Sequence, residues 1–302
     1  MNYVGLDIGS KFPVMARNGV NRFEIYQMKS IIGEKDMQEL FKDMPFYDKL
    51  VRLLKIMMKK DVLPQSNTCL VIGVPSYFNI DSERNTCLHA ALKNLRIRRS
   101  VELMNEGTAI ALYYAIKNHW DSLNGKNIIF LYVGDSQTQV TIVRFTEKKL
   151  KVLHESNGDN SFTYFSNTSK HKITILCQNA LKKTDMKEDQ VHNIILLCDD
   201  YCDAIVNFLS RYFNNRDIVI HLEDNNDKHV VANGLAHGGW IFANPNYGYT
   251  VETANGSKYG QYSKENDPKC GQSSSQIHEL SIQIPNDEKV SNLTNIAVFS
   301  KF

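Results

Sequence analysis

Residues 3–26, YVGLDIGSKFPVMARNGVNRFEIY, decide the fold, because three short strand-like runs follow one another there with only tight turns between them. Tyr3–Leu6, Val14–Arg17 and Phe23–Tyr26 are the runs, and Gly9-Ser10-Lys11 and Asn18-Gly19 separate them. Asn-Gly is a strong hairpin signal, since the favoured two-residue turn needs φ > 0 at both central positions. The stretch therefore reads as a β-meander. Further along, Tyr47, Leu50, Val51, Leu54, Met57 and Met58 keep helical spacing, and Thr68–Val74 is a continuous apolar run with the composition of a buried strand. Pro75 ends that strand, Asp81-Ser82 precedes a helix-like stretch to about Lys93, and Gly107–Asn118 is rich in Ala and Leu with good helix propensity.

From Asn127 the order starts again, in NIIFLYVGDSQTQVTIVRFTEKKLKVLH. Ile128–Val133, Gln139–Phe145 and Leu150–His154 read as strands, with turns at Gly134-Asp135-Ser136 and Lys148-Lys149. A helical stretch near Ile173–Leu181, an apolar strand Ile194–Cys198, a helix Cys202–Phe213 and a Gly-containing helix His229–Ala243 follow. A meander followed by helix, strand and helix, occurring twice, predicts two similar α/β lobes facing each other across a cleft. The paired hairpin turns would point into that cleft, where backbone N–H groups left open by small residues suit phosphate oxygens. Beyond Ala243 the chain turns to Asn, Gly, Ser, Tyr and Lys and reads as loop, with strand-like segments only at Gln276–Ile284 and Leu293–Phe299.

The 302 residues are long enough for two lobes, and 35 basic against 33 acidic residues leave a net charge of +2. Such a balance gives no long-range field to gather nucleic acid or an anionic membrane, so neither is expected as a partner. Arg96, Arg98 and Arg99 form one short basic knot, read as a solvated loop between a helix and a strand. The six cysteines are scattered, and Cys198 and Cys202 have neither the spacing nor the second pair of a zinc site. The first residues run straight into a strand pattern without a secretory n-region or h-region, and no apolar run approaches the ~18 residues of a membrane span. A soluble protein is expected, in the cytoplasm with the nucleus as a further location.

Four segments carry a resemblance. Val4-Gly5-Leu6-Asp7-Ile8-Gly9-Ser10 is similar to the first phosphate loop of the 70-kDa heat-shock protein family, Gly-Ile-Asp-Leu-Gly-Thr-Thr. Val74-Pro75-Ser76-Tyr77-Phe78-Asn79 with Asp81-Ser82-Glu83-Arg84 resembles its Val-Pro-Ala-Tyr-Phe-Asn-Asp-Ser-Gln-Arg. Asn105-Glu106-Gly107-Thr108-Ala109-Ile110-Ala111 resembles the inter-lobe segment Asn-Glu-Pro-Thr-Ala-Ala-Ala, and Val231-Ala232-Asn233-Gly234-Leu235-Ala236 the Val-Ala-Tyr-Gly-Ala-Ala that opens the final helix. In the second meander the likeness is to the larger 110-kDa branch. The resemblance implies an actin-like ATPase fold, the duplicated ribonuclease H-like two-lobed α/β architecture. Residues 1–117 would form lobe I, 118–243 lobe II, and 244–302 a tail of low order or a vestigial β segment. Lys29-Ser30-Ile31-Ile32-Gly33, similar to the family's Lys-Arg-Leu-Ile-Gly, follows the first meander almost at once, and little chain separates His154 from His192. Both outer subdomains are therefore expected to be reduced, leaving a shallower cleft.

The same resemblance implies ATP or ADP with magnesium as cofactor. Phosphoryl transfer needs cradled phosphates, a charge-neutralising metal and an oriented water. Asp7 falls on the family's acidic magnesium-shell position, and Gly9, Ser10 and Lys11 on the first phosphate turn. Lys29 falls on the catalytic lysine and Glu106 on a carboxylate near the metal. Gly134, Asp135 and Ser136 form the second turn, and Gly234 joins the cofactor set from the last helix. Here the chain departs from the family. Asp-Leu-Gly-Gly-Gly-Thr-Phe-Asp becomes Tyr132-Val133-Gly134-Asp135-Ser136-Gln137-Thr138-Gln139, so Tyr132 and Gln139 replace two cleft aspartates. Asp135 puts a carboxylate where β- and γ-phosphates would lie, and like charges repel there unless magnesium takes Asp135 as a substitute ligand. On the adenosine side, Leu197-Cys198-Asp199-Asp200-Tyr201 stands for Gly-Gly-Ser-Thr-Arg. The expectation is a chaperone-family module with a degenerate ATP cleft and weak or lost ATPase activity. It would act as a nucleotide-exchange-type co-chaperone on a conventional 70-kDa chaperone, or on unfolded polypeptide. A minimal working ATPase built on Asp7, Lys29, Glu106 and Gly134 is the alternative. An unrelated actin-fold small-molecule kinase is a third reading, without a convincing general base near the second turn.

Overall fold

Strand pairing follows the turn chemistry in a computed structural model of the protein, which describes residues 2–8, 14–18, 23–28, 30, 46–59, 68–74, 101–134, 138–158, 165–198, 202–213, 219–221, 229–254, 256, 258 and 259. The first meander forms β1 (Asn2–Asp7), β2 (Val14–Asn18) and β3 (Phe23–Gln27), each antiparallel to the next. Helix α1 (Phe46–Lys59) leads to β4 (Thr68–Val74), which runs parallel to β1, and β5 (Val101–Asn105) runs parallel to β4. The sheet order is β3-β2-β1-β4-β5.

Helix α2 (Glu106–Lys117) carries the chain from the end of β5 to a second sheet. There β6 (Asn127–Val133), β7 (Thr138–Thr146) and β8 (Lys149–Gly158) form the second meander. Helix α3 (Asn167–Lys183), β9 (Asn193–Cys198), helix α4 (Cys202–Tyr212), β10 (Val219–His221), helix α5 (Val230–Ala243) and β11 (Thr250–Glu252) complete the order. The second sheet runs β10-β9-β6-β7-β8-β11, so its first five strands, read from the β8 side, repeat the arrangement of the first sheet. This is the duplication predicted from sequence.

Alternation within β6 explains its unbroken apolar run. Ile128 and Phe130 pack with the α2 residues Ala109, Leu112 and Ala115, whereas Ile129, Leu131 and Val133 pack with Ile173, Cys177 and Leu181 of α3. Successive side chains of a strand point to opposite faces, and here both faces are covered. Helix α5 lies across the first sheet and against α2. A Cβ on Gly5 of β1 would come 2.2 Å from the Ala232 carbonyl oxygen, and one on Gly234 would come 1.9 Å from that of Ala109. Only glycine permits these approaches.

Several elements differ from the sequence reading. Helix α3 begins at Asn167, six residues before the Ile173 at which apolar periodicity starts, because Ser166 caps it reciprocally with Ser169 rather than with the usual Glu or Gln. Strand β5 was legible only as the strand after the basic loop. Of the residues grouped with the tail, Thr250–Glu252 form β11 at the edge of the second sheet. Strand β11 pairs parallel with β8, Lys149 forms an ion pair with Glu252, and Tyr259 is buried, stacked on Phe242 at 5.9 Å. Cys198 and Cys202 are joined in a disulfide. The helix-like stretch 81–93, the arginine knot 96–99 and the strand-like segments 276–284 and 293–299 lie outside the described residues. Among the described residues, no helix is long and apolar enough to cross a membrane.

Candidate functional site

The carboxyl ends of parallel strands are where open α/β sheets bind ligands. In the first sheet Asp7 closes β1, registered beside Gly73 of β4, while Val74 stands beside Asn105, the last residue of β5. Glu106 follows as the first residue of α2, and both Asp7 and Glu106 are buried. In the second sheet β6 ends at Val133 and Gly134, and β7 returns with Thr138 opposite Val133 and Gln139 opposite Tyr132.

One hydrogen bond brings the two edges together. Gln139 Nε2 donates to Glu106 Oε2 at 2.8 Å, and the residues are 1% and 2% exposed. The start of β7 thus meets the start of α2, just past the carboxyl end of β5. Asp7 ends β1 and Glu106 follows β5 in the first sheet, Gly134 follows β6 in the second, and Gly9, Ser10, Lys11, Lys29, Asp135 and Ser136 lie outside the described residues. Gly234 lies in the α2–α5 contact, against the Ala109 carbonyl.

At the second tip the substituted residues take up definite positions. The Tyr132 ring lies against Gly134: a Cβ there would lie 2.6 Å from the Tyr132 hydroxyl oxygen and 2.7 Å from Cζ. Gly134 is therefore spatially committed to a phenol. The amide of Gln139 carries no charge and occupies a lone-pair direction of the Glu106 carboxylate. Next to the tip, Leu197 and Cys198 of β9 register with Tyr132 and Val133, and the disulfide to Cys202 ties this strand end to the start of α4. Among the described residues, no group of three or more His, Cys, Asp or Glu could hold a metal ion.

Sequence reasoning did not single out Glu155. This β8 residue is partly buried, and its carboxyl accepts hydrogen bonds from Asn105 Nδ2 and, at 2.7 Å, from Thr108 Oγ1. Desolvation holds its pKa above the ordinary carboxylate value, and the hydrogen bonds from Thr108 and Asn105 pull it partly back. The only sequence signal was an acidic residue just past a predicted strand ending at His154, which reads equally well as a solvated strand end.

The Hsp70 protein family model matches residues 48–163, from α1 through the second meander. Heat shock protein 88 of Dictyostelium discoideum is 38% identical over 92 residues, covering 30% of this chain and 11% of that protein. Heat shock protein 110 of Caenorhabditis elegans is 38% identical over 93 residues, 28% of this chain and 11% of the relative. Heat shock 70 kDa protein 4L of Homo sapiens is 41% identical over 86 residues, 28% and 10% of the two chains. Each match covers about three-tenths of this chain and about a tenth of the relative's own length.

Proposed function

We propose, from the premise that the chain is a divergent and partial member of the Hsp70 family near its 110-kDa branch, that its actin-like ATPase fold works as a nucleotide-independent chaperone module. It would act in the cytoplasm as a co-chaperone that accelerates nucleotide exchange on a conventional 70-kDa heat-shock chaperone. The observation that carries this reading is the substituted second tip, where Tyr132 lies against Gly134 and Gln139 binds Glu106.

Family members bind ATP or ADP with magnesium, a small cation that demands near-octahedral oxygen ligation and is held through carboxylates, water and phosphate oxygens. Two of the cleft carboxylates are replaced by a phenol and an amide. The remaining Glu106 already accepts from that amide. The phenol also stands where a phosphate would need bare backbone. These residues do not fit a magnesium nucleotide, so no hydrolytic step is derived through one. What the fold retains is its two-lobed body, the part a partner could grip.

The test is release of a fluorescent ADP from a conventional 70-kDa chaperone, with and without the chain. Acceleration at stoichiometric ratios supports the reading. Unchanged release together with failure to co-purify with that chaperone refutes it, and suppression of aggregation of unfolded polypeptide would move the assignment to client holding. The retention of both Asp7 and Glu106 favours a second reading, a minimal ATPase, which requires that Asp7→Ala abolish magnesium-dependent phosphate release.

A further inference from the structure

Four consecutive residues at the start of α2 are each held by the second sheet. Asn105, still part of β5 in the first sheet, donates through Nδ2 to Glu155 Oε2. Glu106 accepts from Gln139 of β7 at 2.8 Å. Gly107 lies so close to β7 that an added Cβ would be 1.9 Å from Thr141 Oγ1. Thr108 donates to Glu155 Oε1 at 2.7 Å.

Chain passages between lobes normally hinge on a few residues that absorb changes in φ and ψ. This passage instead has side-chain or steric anchorage at every position from 105 to 108. Glu155 is its centre, since one carboxyl accepts from a residue of the first sheet and from one of the helix that leaves it. Both donors are enclosed, with Asn105 at 9% and Thr108 at 0% exposure. A donor stripped of its acceptor in such surroundings is left largely without a hydrogen bond, at a desolvation cost. An apolar side chain at position 155 could fill the space but could not fix direction.

We infer that Glu155 is an inter-lobe latch, which fixes the first sheet to the second across the start of α2 and removes the hinge from this chain. A fixed angle would present one unchanging partner surface, so the inference deepens the co-chaperone reading and rests on it for its purpose, though not for its geometry.

Hydrogen–deuterium exchange of the full chain, without nucleotide or partner, tests the latch. Glu155→Ala should accelerate exchange about tenfold or more, together, in residues 105–110 and 151–156, with β1 and β2 unaffected. Glu155→Gln, whose single amide oxygen can accept from only one of the two donors, should accelerate both segments by less than Glu155→Ala does. Should Glu155→Ala not fold, Thr108→Val replaces it, with joint acceleration of the two segments again expected. Unchanged exchange at 105–110 in the deletion variant, or acceleration confined to β8, overturns the latch. Protection of these amides by Mg-ATP in the parent chain would count against the nucleotide-independent function alone.

Discussion

Replacing Gly234 with alanine sets two physical effects against each other. In a helix interior alanine is favoured over glycine by ~1 kcal/mol, so local propensity predicts a gain in stability. The tertiary contact predicts the reverse. The new Cβ would stand 1.9 Å from the Ala109 carbonyl oxygen, 2.5 Å from its carbonyl carbon and 3.1 Å from its Cα. All three are backbone atoms of α2, so no rotamer change relieves the clash. Since non-bonded heavy atoms rest at roughly 3.5 Å, the two helices must separate by more than ~1 Å. Separation is costly, because the opposite side of α5 is seated on β1 with Ala232 against Gly5, and on β4 with Leu235 against Gly73. Overpacking of this kind costs ~1–3 kcal/mol, and a rigid backbone obstacle belongs at or above the upper end. After the propensity gain, a net loss of ~2 kcal/mol remains, which for a chain of this size lowers Tm by roughly 4–8 °C. Thermal unfolding followed by circular dichroism measures it. Gly158→Ala is the control, because its added Cβ would meet nothing nearer than Leu176 Cδ2 at 3.4 Å. A Gly234→Ala protein melting at or above the parent temperature would refute the packing argument and reopen a ligand-facing role for this glycine.

Two pH predictions follow from titratable groups. Burial raises the Glu155 pKa above 4.5, so the folded chain holds that proton more tightly than the unfolded one and stability falls as pH rises through and beyond 4.5. Glu155→Gln should therefore melt higher than the parent at pH 7, with the gap closing near pH 4, and an equal gap at both pH values would contradict this. His237 on α5 has the opposite sign: burial pushes its pKa from 6.5 down to about 4. The folded state prefers the neutral ring, so its contribution is complete above pH 6.5 and is lost toward pH 4, by roughly 3 kcal/mol at most. His237→Gln should flatten the fall in Tm between pH 6.5 and 4, and an unchanged slope would remove His237 as the cause.

The duplicated sheets were legible because each meander carries its own local instructions: Asn18-Gly19 is a hairpin signal in the sequence of the first, Lys148 takes a left-handed φ of 53° in the second, and the strands between are β-rich. The chemical identity of the second tip was legible too, since Tyr132 and Gln139 stand in a motif whose usual residues are acidic. Their positions were not. That Tyr132 lies against Gly134 depends on ring packing, and that Gln139 bonds Glu106 depends on two segments 33 residues apart. Strand β11 escaped notice because its three residues gain strand character only from pairing with β8. Glu155 escaped for the same kind of reason, as both of its donors lie 47 or more residues earlier in the chain.

The central claim is that the second wall of the cleft, with Tyr132 and Gln139 in place of carboxylates, no longer accepts a magnesium nucleotide. Isothermal titration of the full chain with Mg-ATP and Mg-ADP tests it most directly. No saturable heat is predicted up to millimolar nucleotide, whereas a Kd of about 1 μM, worth about 8 kcal/mol of binding free energy, would contradict it.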